Sequence, residues 1–201
     1  MSNTTKRERL SEACAFVVLV ALGVGLRLFF QDLPNFGPVA ALALFSGYYF
    51  RNGLTALAVP LTVMAISDYF IGGYSWQVMV VVYASLALPV VLRGVLHRCV
   101  AFKRTGLTSA VVAIAGLMTC ALGSSLMFYL TTNFAHWIWF GTDHTYFGLL
   151  YSYISALPFF RFTVFGDLLF AFALFGGHVL FALASRRHVV TMPANSPLPV
   201  S

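Results

Sequence analysis

Apolar residues run along this chain in six blocks set apart by short polar breaks, at 13–30, 36–50, 54–71, 76–96, 107–131 and 162–185. A helix of about 20 apolar residues spans a hydrocarbon core roughly 30 Å thick. The blocks therefore predict six transmembrane helices. The second block is short and opens with Gly37-Pro38, so its helix is expected to be tilted, broken or only partly inserted. Pro60 and Pro89 fall inside the third and fourth blocks. Each predicts a kink whose freed carbonyl is satisfied by a neighbour. The first block is too long, and too lacking in a small-residue cleavage site, for a removed signal peptide. No internal repeat, heptad pattern or low-complexity tract interrupts the blocks. The organisation expected is an N-terminal segment (1–12), one transmembrane domain (13–186) with a long connection at 132–161, and a tail (187–201). The end of that tail is rich in proline and small residues and reads as disordered.

Composition agrees with the pattern. Of 201 residues, 60% are hydrophobic and only 9% charged, against about 25% charged in a soluble domain. So few charges do not cover a water-facing surface. The net charge of +6 follows topology. With the N-terminus inside, Lys6, Arg7, Arg9, Arg51, Arg93, Arg98, Lys103, Arg104, Arg186 and Arg187 fall on the inner side, and only Arg27 and Arg161 on the outer. That bias predicts both termini in the cytoplasm, with some attraction to anionic lipid. No basic patch carries the aromatic interleaving or soluble scaffold of a nucleic-acid site, so no nucleic-acid partner is expected.

The aspartates fall on the opposite side, while Glu8 and Glu12 belong to the inner N-terminal segment. Asp32, Asp68, Asp143 and Asp167 lie at outer helix ends or in outer connections. Asp68 closes the third block and Asp167 sits about a turn into the sixth. Ionisable groups at membrane depth are costly and usually face the bundle interior. Two readings stay open. Arg27 with an outer aspartate, and Arg161 with Asp167, form helix-end ion pairs; or some of these groups line a pocket.

The connection 133–161 holds two of the three tryptophans, two of the five histidines, Asp143, Tyr146, Tyr151 and Tyr153. A connection this long is functional or disordered, and its aromatic content speaks against disorder. It reads either as a lid over an outward pocket or as an interfacial aromatic belt. As a lid it would offer Asn133, His136, Trp137, Asp143, His144 and Tyr146 to a solute. His136, Asp143 and His144 have ligand chemistry, but their spacing matches no compact metal motif. No metal and no cofactor are expected. Cys14, Cys99 and Cys120 lie in or near the inner half and imply no disulfide framework. Small residues four apart, Ala21 and Gly25, Ala43 and Gly47, and Ala115, Thr119 and Gly123, allow close helix contact within the bundle or with a partner.

Several stretches carry a family resemblance. They are Leu33-Pro34-Asn35-Phe36-Gly37-Pro38-Val39-Ala40-Ala41-Leu42, Phe45-Ser46-Gly47, Ser67-Asp68, Thr132-Asn133-Phe134, Tyr146-Phe147-Gly148-Leu149, Ala156-Leu157-Pro158-Phe159-Phe160 and Gly166-Asp167-Leu168. Scattered from Arg27 to Gly176, they resemble an uncharacterised family of small bacterial integral membrane proteins. That family is similar to the substrate-capture (S) components of energy-coupling-factor vitamin transporters. The resemblance implies an all-α, six-helix bundle in the bacterial cytoplasmic (inner) membrane. It also implies an outer pocket around Asn35, Asp68, Asn133, His136, Trp137, Arg161 and Asp167. The first helix departs from the small-residue pattern those components use to dock on their coupling subunit, offering only Ala21 and Gly25 at that spacing.

These observations lead to an expectation of solute capture from the outer side, as a passive binder, by facilitated exchange or with an energising membrane partner. The alternative is a non-catalytic structural subunit of a larger membrane complex. An enzyme is not expected. Val164-Phe165-Gly166-Asp167 lacks the first glycine of the Gly-x-Gly-Asp element of intramembrane aspartic proteases, and no nucleophile–base set or phosphate loop is present.

Overall fold

The computed structural model describes the backbone of residues 3–73, 75–99 and 107–190, and their side chains apart from those of 3–5, 7, 8, 107 and 183–190. The described residues are helical throughout apart from short connections. The helices are α1 (Asn3–Phe29), α2 (Val39–Tyr49), α3 (Gly53–Ile71), α4 (Trp76–Ala87), α5 (Arg93–Cys99), α6 (Leu107–Phe140) and α7 (Tyr146–Val190). A 3-10 helix, Leu88–Leu92, joins α4 to α5. Arg9–Phe29, Gly53–Ile71, Trp76–Cys99, Thr108–Phe140 and Tyr146–Ala182 are long and apolar enough to cross a membrane. The chain is thus a multi-pass membrane protein by the length and composition of its helices. Large apolar side chains on these helices point outward, among them Phe29, Phe70, Val91 and Phe181, as a lipid-facing surface requires. Of the basic residues expected on the inner side, Arg7, Lys103, Arg104, Arg186 and Arg187 lie outside the described side chains, as does the tail from 191.

The short second block becomes the centre of the bundle. Helix α2 has 11 residues, about 16 Å at 1.5 Å per residue, so it does not span the roughly 30 Å core by itself. It is apolar on every side and buried on every side: Val39 through Gly47 are all buried. A helix without a polar face belongs inside a bundle. Its alanines, Ser46 and Gly47 keep its girth small. A Cβ on Gly47 would stand 3.0 Å from the carbonyl oxygen of Val90, so the 3-10 helix rests directly on the α2 backbone. On α1, a Cβ on Gly23 would meet Leu42 at 2.6 Å and Val63 at 2.7 Å, which seats α1 against α2 and α3 together.

Helices α1 and α3 run the same way. Their C-terminal ends meet in an ion pair between Arg27 and Asp68, 2.5 Å apart. The chain between them therefore comes back, along the lead-in from Phe30 and then α2.

The two prolines are handled differently. Pro60 leaves α3 continuous. Its ring removes the donor for the carbonyl four residues back, which is that of Ala56. The Ser46 hydroxyl of α2 donates to that carbonyl at 2.9 Å, so a neighbouring helix replaces the missing bond. Pro89 instead falls where the α-helix tightens into the 3-10 segment. Ser46→Ala is expected to lower stability by about 1–2 kcal/mol, because it leaves a buried carbonyl unpaired. Thermal unfolding in detergent measures this. No shift in melting temperature would show that Ala56 does not depend on Ser46.

The last two helices are longer than the apolar blocks predict, as is α1, which starts at Asn3. The 132–161 connection becomes the facing ends of α6 and α7, and only Gly141–Thr145 forms the turn. Polar and aromatic residues interrupt the hydropathy there without interrupting the helices. Pro158 lies inside α7. The two ends are tied by Tyr129 Oη to the Tyr153 carbonyl (2.6 Å), Tyr153 Oη to the Leu130 carbonyl (3.0 Å) and Ser152 Oγ to the Asn133 carbonyl (3.1 Å).

Candidate functional site

The lead-in to α2 is pinned by aromatic rings. Phe30 and Phe36 stand edge to face at 5.0 Å, and Phe36 lies 5.4 Å from Phe170 and 6.1 Å from Phe165 of α7. Gly166 permits this: a Cβ there would meet the Phe36 ring at 3.1 Å and the Gly37 nitrogen at 3.3 Å. Between these anchors Asn35 takes the left-handed conformation, φ 59°. Asparagine tolerates it better than most residues.

A cavity of about 420 Å³ opens against this lead-in, within the usual range for small-molecule sites. Arg27 closes it from α1, Asn35 and Phe36 from the lead-in, and Val78 and Val82 from α4. Phe128, Tyr129, Thr132, Asn133 and His136 line it from α6, and Phe159, Phe160, Thr163 and Asp167 from α7. Most of the wall is aromatic or aliphatic, with a few polar groups set in it.

Those polar groups are held in place. Arg27 donates to Asp68 and to Ser67 Oγ. Tyr83 Oη donates to the other Asp68 oxygen at 2.9 Å. Asp68 thus stands behind Arg27, fixing it, and does not itself line the cavity. Asp167 is buried and takes a hydrogen bond from Ser125 Oγ at 2.6 Å. Asn133 donates from its amide to the Tyr129 carbonyl at 2.8 Å, one turn back on α6.

Two sequence expectations change here. Asp167 was expected about a turn into its helix. Because α7 begins at Tyr146, Asp167 stands roughly six turns in, near the middle of the apolar stretch Tyr146–Ala182. Arg161 and Asp167 do not pair. Six residues on one helix place them on different faces. Arg161 is exposed, with its guanidinium 4.8 Å from the Phe162 ring centre, while Asp167 faces Ser125. The pairing of Arg27 with an outer aspartate does form, through Asp68.

The remaining candidates gather elsewhere. A second cavity of about 640 Å³ lies between the ends of α6 and α7, lined by Trp137, Phe140, Asp143, Phe147, Tyr151 and Ser155, and shares Asn133, His136 and Phe159 with the first. Asp143 is engaged in the turn: its carboxylate accepts from the Thr145 amide (2.9 Å) and hydroxyl (2.8 Å). Its carbonyl accepts from Trp137 Nε1 at 3.0 Å. His144 Nε2 lies 3.1 Å from the Ile138 carbonyl. Tyr146 is exposed beside Phe147. No group of three His, Cys, Asp or Glu side chains among the described residues is placed to hold a metal.

The small-residue faces also separate. Ala43 and Gly47 are inside the bundle. Ala21 and Gly25 on α1, and Ala115, Thr119 and Gly123 on α6, are exposed. The sequence reading passed over Ser125, Phe36, Tyr129 and Thr163. Phe36 was within reach, in the motif beside Gly37-Pro38. The others look like ordinary helix residues until α6 and α7 are set side by side.

A family model described as "Family of unknown function (DUF6580)" matches residues 7–192. No curated protein and no solved structure matches the chain.

Proposed function

The chain belongs to this family of unknown function, and from that starting point we propose that it captures a small solute from the outer side of a bacterial cytoplasmic membrane for uptake, as a subunit similar to the S components of energy-coupling-factor transporters. The observation that carries the reading is the 420 Å³ cavity, whose few polar groups, from Arg27 to Asp167, converge from four elements on one space. In the proposal α2 and its lead-in make the sixth crossing. The common direction of α1 and α3, with their ends joined at Arg27 and Asp68, supports this. The inner end holds Arg51 and Arg93, where Arg93 donates to the Arg51 carbonyl at 2.9 Å, in keeping with termini inside. The role is binding rather than catalysis, since Asp68 is engaged with Arg27 and Tyr83 and does not form a dyad with Asp167.

A structural subunit of a larger complex is the second reading. The exposed small-residue faces of α1 and α6 favour it, because such faces suit close contact with another helix. Native mass spectrometry of the protein gently extracted from its own membranes separates the two. Capture predicts a non-lipid small molecule on the monomer, lost in Asp167→Ala while the fold persists. A stable assembly with other membrane subunits and no small ligand would overturn capture and leave the structural role.

A further inference from the structure

We infer that the solute is a compact organic cation, bound with its charged nitrogen on Asp167 and its apolar body against the aromatic wall. The inference rests on the capture reading and adds the charge class of the ligand.

It follows from which charges in the cavity are already answered. The basic and acidic side chains that line it, among the described residues, are Arg27, His136 and Asp167. Arg27 has its counter-charge, because Asp68 holds it from behind and Ser67 shares the same nitrogen. That pair sums to zero. His136 is exposed, lies at the junction with the second cavity and has its ring 5.7 Å from that of Phe140. Asp167 is different. It is 4% exposed, the Ser125 hydroxyl is a neutral donor, and no cation pairs with it among the described residues. With Asp167 ionised, the lined space holds one carboxylate charge that no cation among the described residues answers. A buried carboxylate without a counter-ion is costly, and a cation brought to it recovers that cost.

The rest of the wall agrees. Phe36, Phe128, Tyr129, Phe159 and Phe160 surround the space. Ring faces attract cations and stack on flat bodies. An anion would meet the Asp167 carboxylate and find Arg27 already engaged. A wholly neutral solute would leave that carboxylate unanswered.

Benzamidinium, benzamide and benzoate test this as one flat body with three charges. Each is titrated against the full chain in lipid nanodiscs. The expectation is that benzamidinium binds at least about tenfold more tightly than benzamide, the scale of one charged hydrogen bond, and that benzoate binds most weakly. In Asp167→Asn, a near-isosteric change, the preference for the cation should fall to about parity. The wild-type order of the three probes needs no variant, so poor folding of Asp167→Asn does not remove the test. If benzamide or benzoate binds as tightly as benzamidinium, the cation assignment is overturned and capture stands, because the cavity still takes a solute. If Asp167→Asn keeps the full preference, the assignment to Asp167 is overturned. Binding of none of the three overturns it as well, and the solute recovered by native mass spectrometry then decides the capture reading separately.

Discussion

Asp68→Ala is expected to destabilise the bundle by about 3 kcal/mol or more, the usual scale for breaking a buried ion pair. Asp68 has a side chain 3% exposed and accepts from both Arg27 and Tyr83. Removing it leaves the Arg27 guanidinium, 19% exposed, without its counter-charge and with Ser67 beside it. The Tyr83 hydroxyl loses the same acceptor. Replacing both partners with apolar residues, Arg27→Leu with Asp68→Leu, removes the stranded charge along with the pair. That double variant is expected to lose clearly less than the sum of its two single changes, by about 1–3 kcal/mol. Unfolding of all four proteins in one detergent closes the cycle. Additive losses would mean that the two side chains act independently. The pair joins the ends of α1 and α3, so its loss is also expected to loosen the Arg27 side of the cavity.

Gly47→Leu is expected to be comparably severe, about 3 kcal/mol or more, from overfilling a site closed by backbone. A Cβ there would stand 3.0 Å from the Val90 carbonyl oxygen and 3.2 Å from its Cα. Neither atom belongs to a side chain that can swing away, and the adjoining Pro89 is fully buried. The four-carbon side chain must push the 3-10 helix off α2. Gly25→Ala is the matched control. It has the same helical context, but nothing lies within 4 Å of its Cβ. It is expected to be neutral or stabilising by up to about 1 kcal/mol through helix propensity. Melting temperatures and detergent-extracted yields compare the two. A harmless Gly47→Leu would mean that α2 and the 3-10 helix do not touch as described.

Both glycines belong to small-residue pairs with the same spacing, Ala21 with Gly25 and Ala43 with Gly47. Spacing says that a backbone can be approached closely. It does not say whether anything approaches. In α2 the neighbours arrive from every side, because the helix has no polar face and is too short to span alone. In α1 the same spacing lies on an open face.

The C-terminal ends of the first four blocks were legible because hydropathy and helicity end within a few residues of each other there, whereas α1 already starts at Asn3, ahead of its block. Asn52 caps α3 through a bond from the Leu54 amide at 2.9 Å, and Gly72 ends it at φ 100°. At the far end of the chain the two signals part. Hydropathy falls near 131 and recovers near 162, yet α6 and α7 run on to a short turn. Their polar side chains bond to carbonyls of the facing helix and to carbonyls within their own helix, so the backbone stays helical. Read from hydropathy alone, that stretch is a loop, and Asp167 then looks shallow.

What the sequence determined by itself is the membrane character, the helical class and the presence of costly polar groups among apolar ones. Each is a property of a segment read along its length, set by transfer of side chains between water and hydrocarbon. What only the tertiary structure decided is partnership: that Asp68 serves Arg27 and not the cavity, that Ser46 answers the carbonyl freed by Pro60, and that Ser125 and Asp167, 42 residues apart, share a hydrogen bond. A polar group in an apolar interior must find a partner, but its identity depends on which helix faces lie together, and that is fixed by close fit at residues such as Gly23, Gly47 and Gly166.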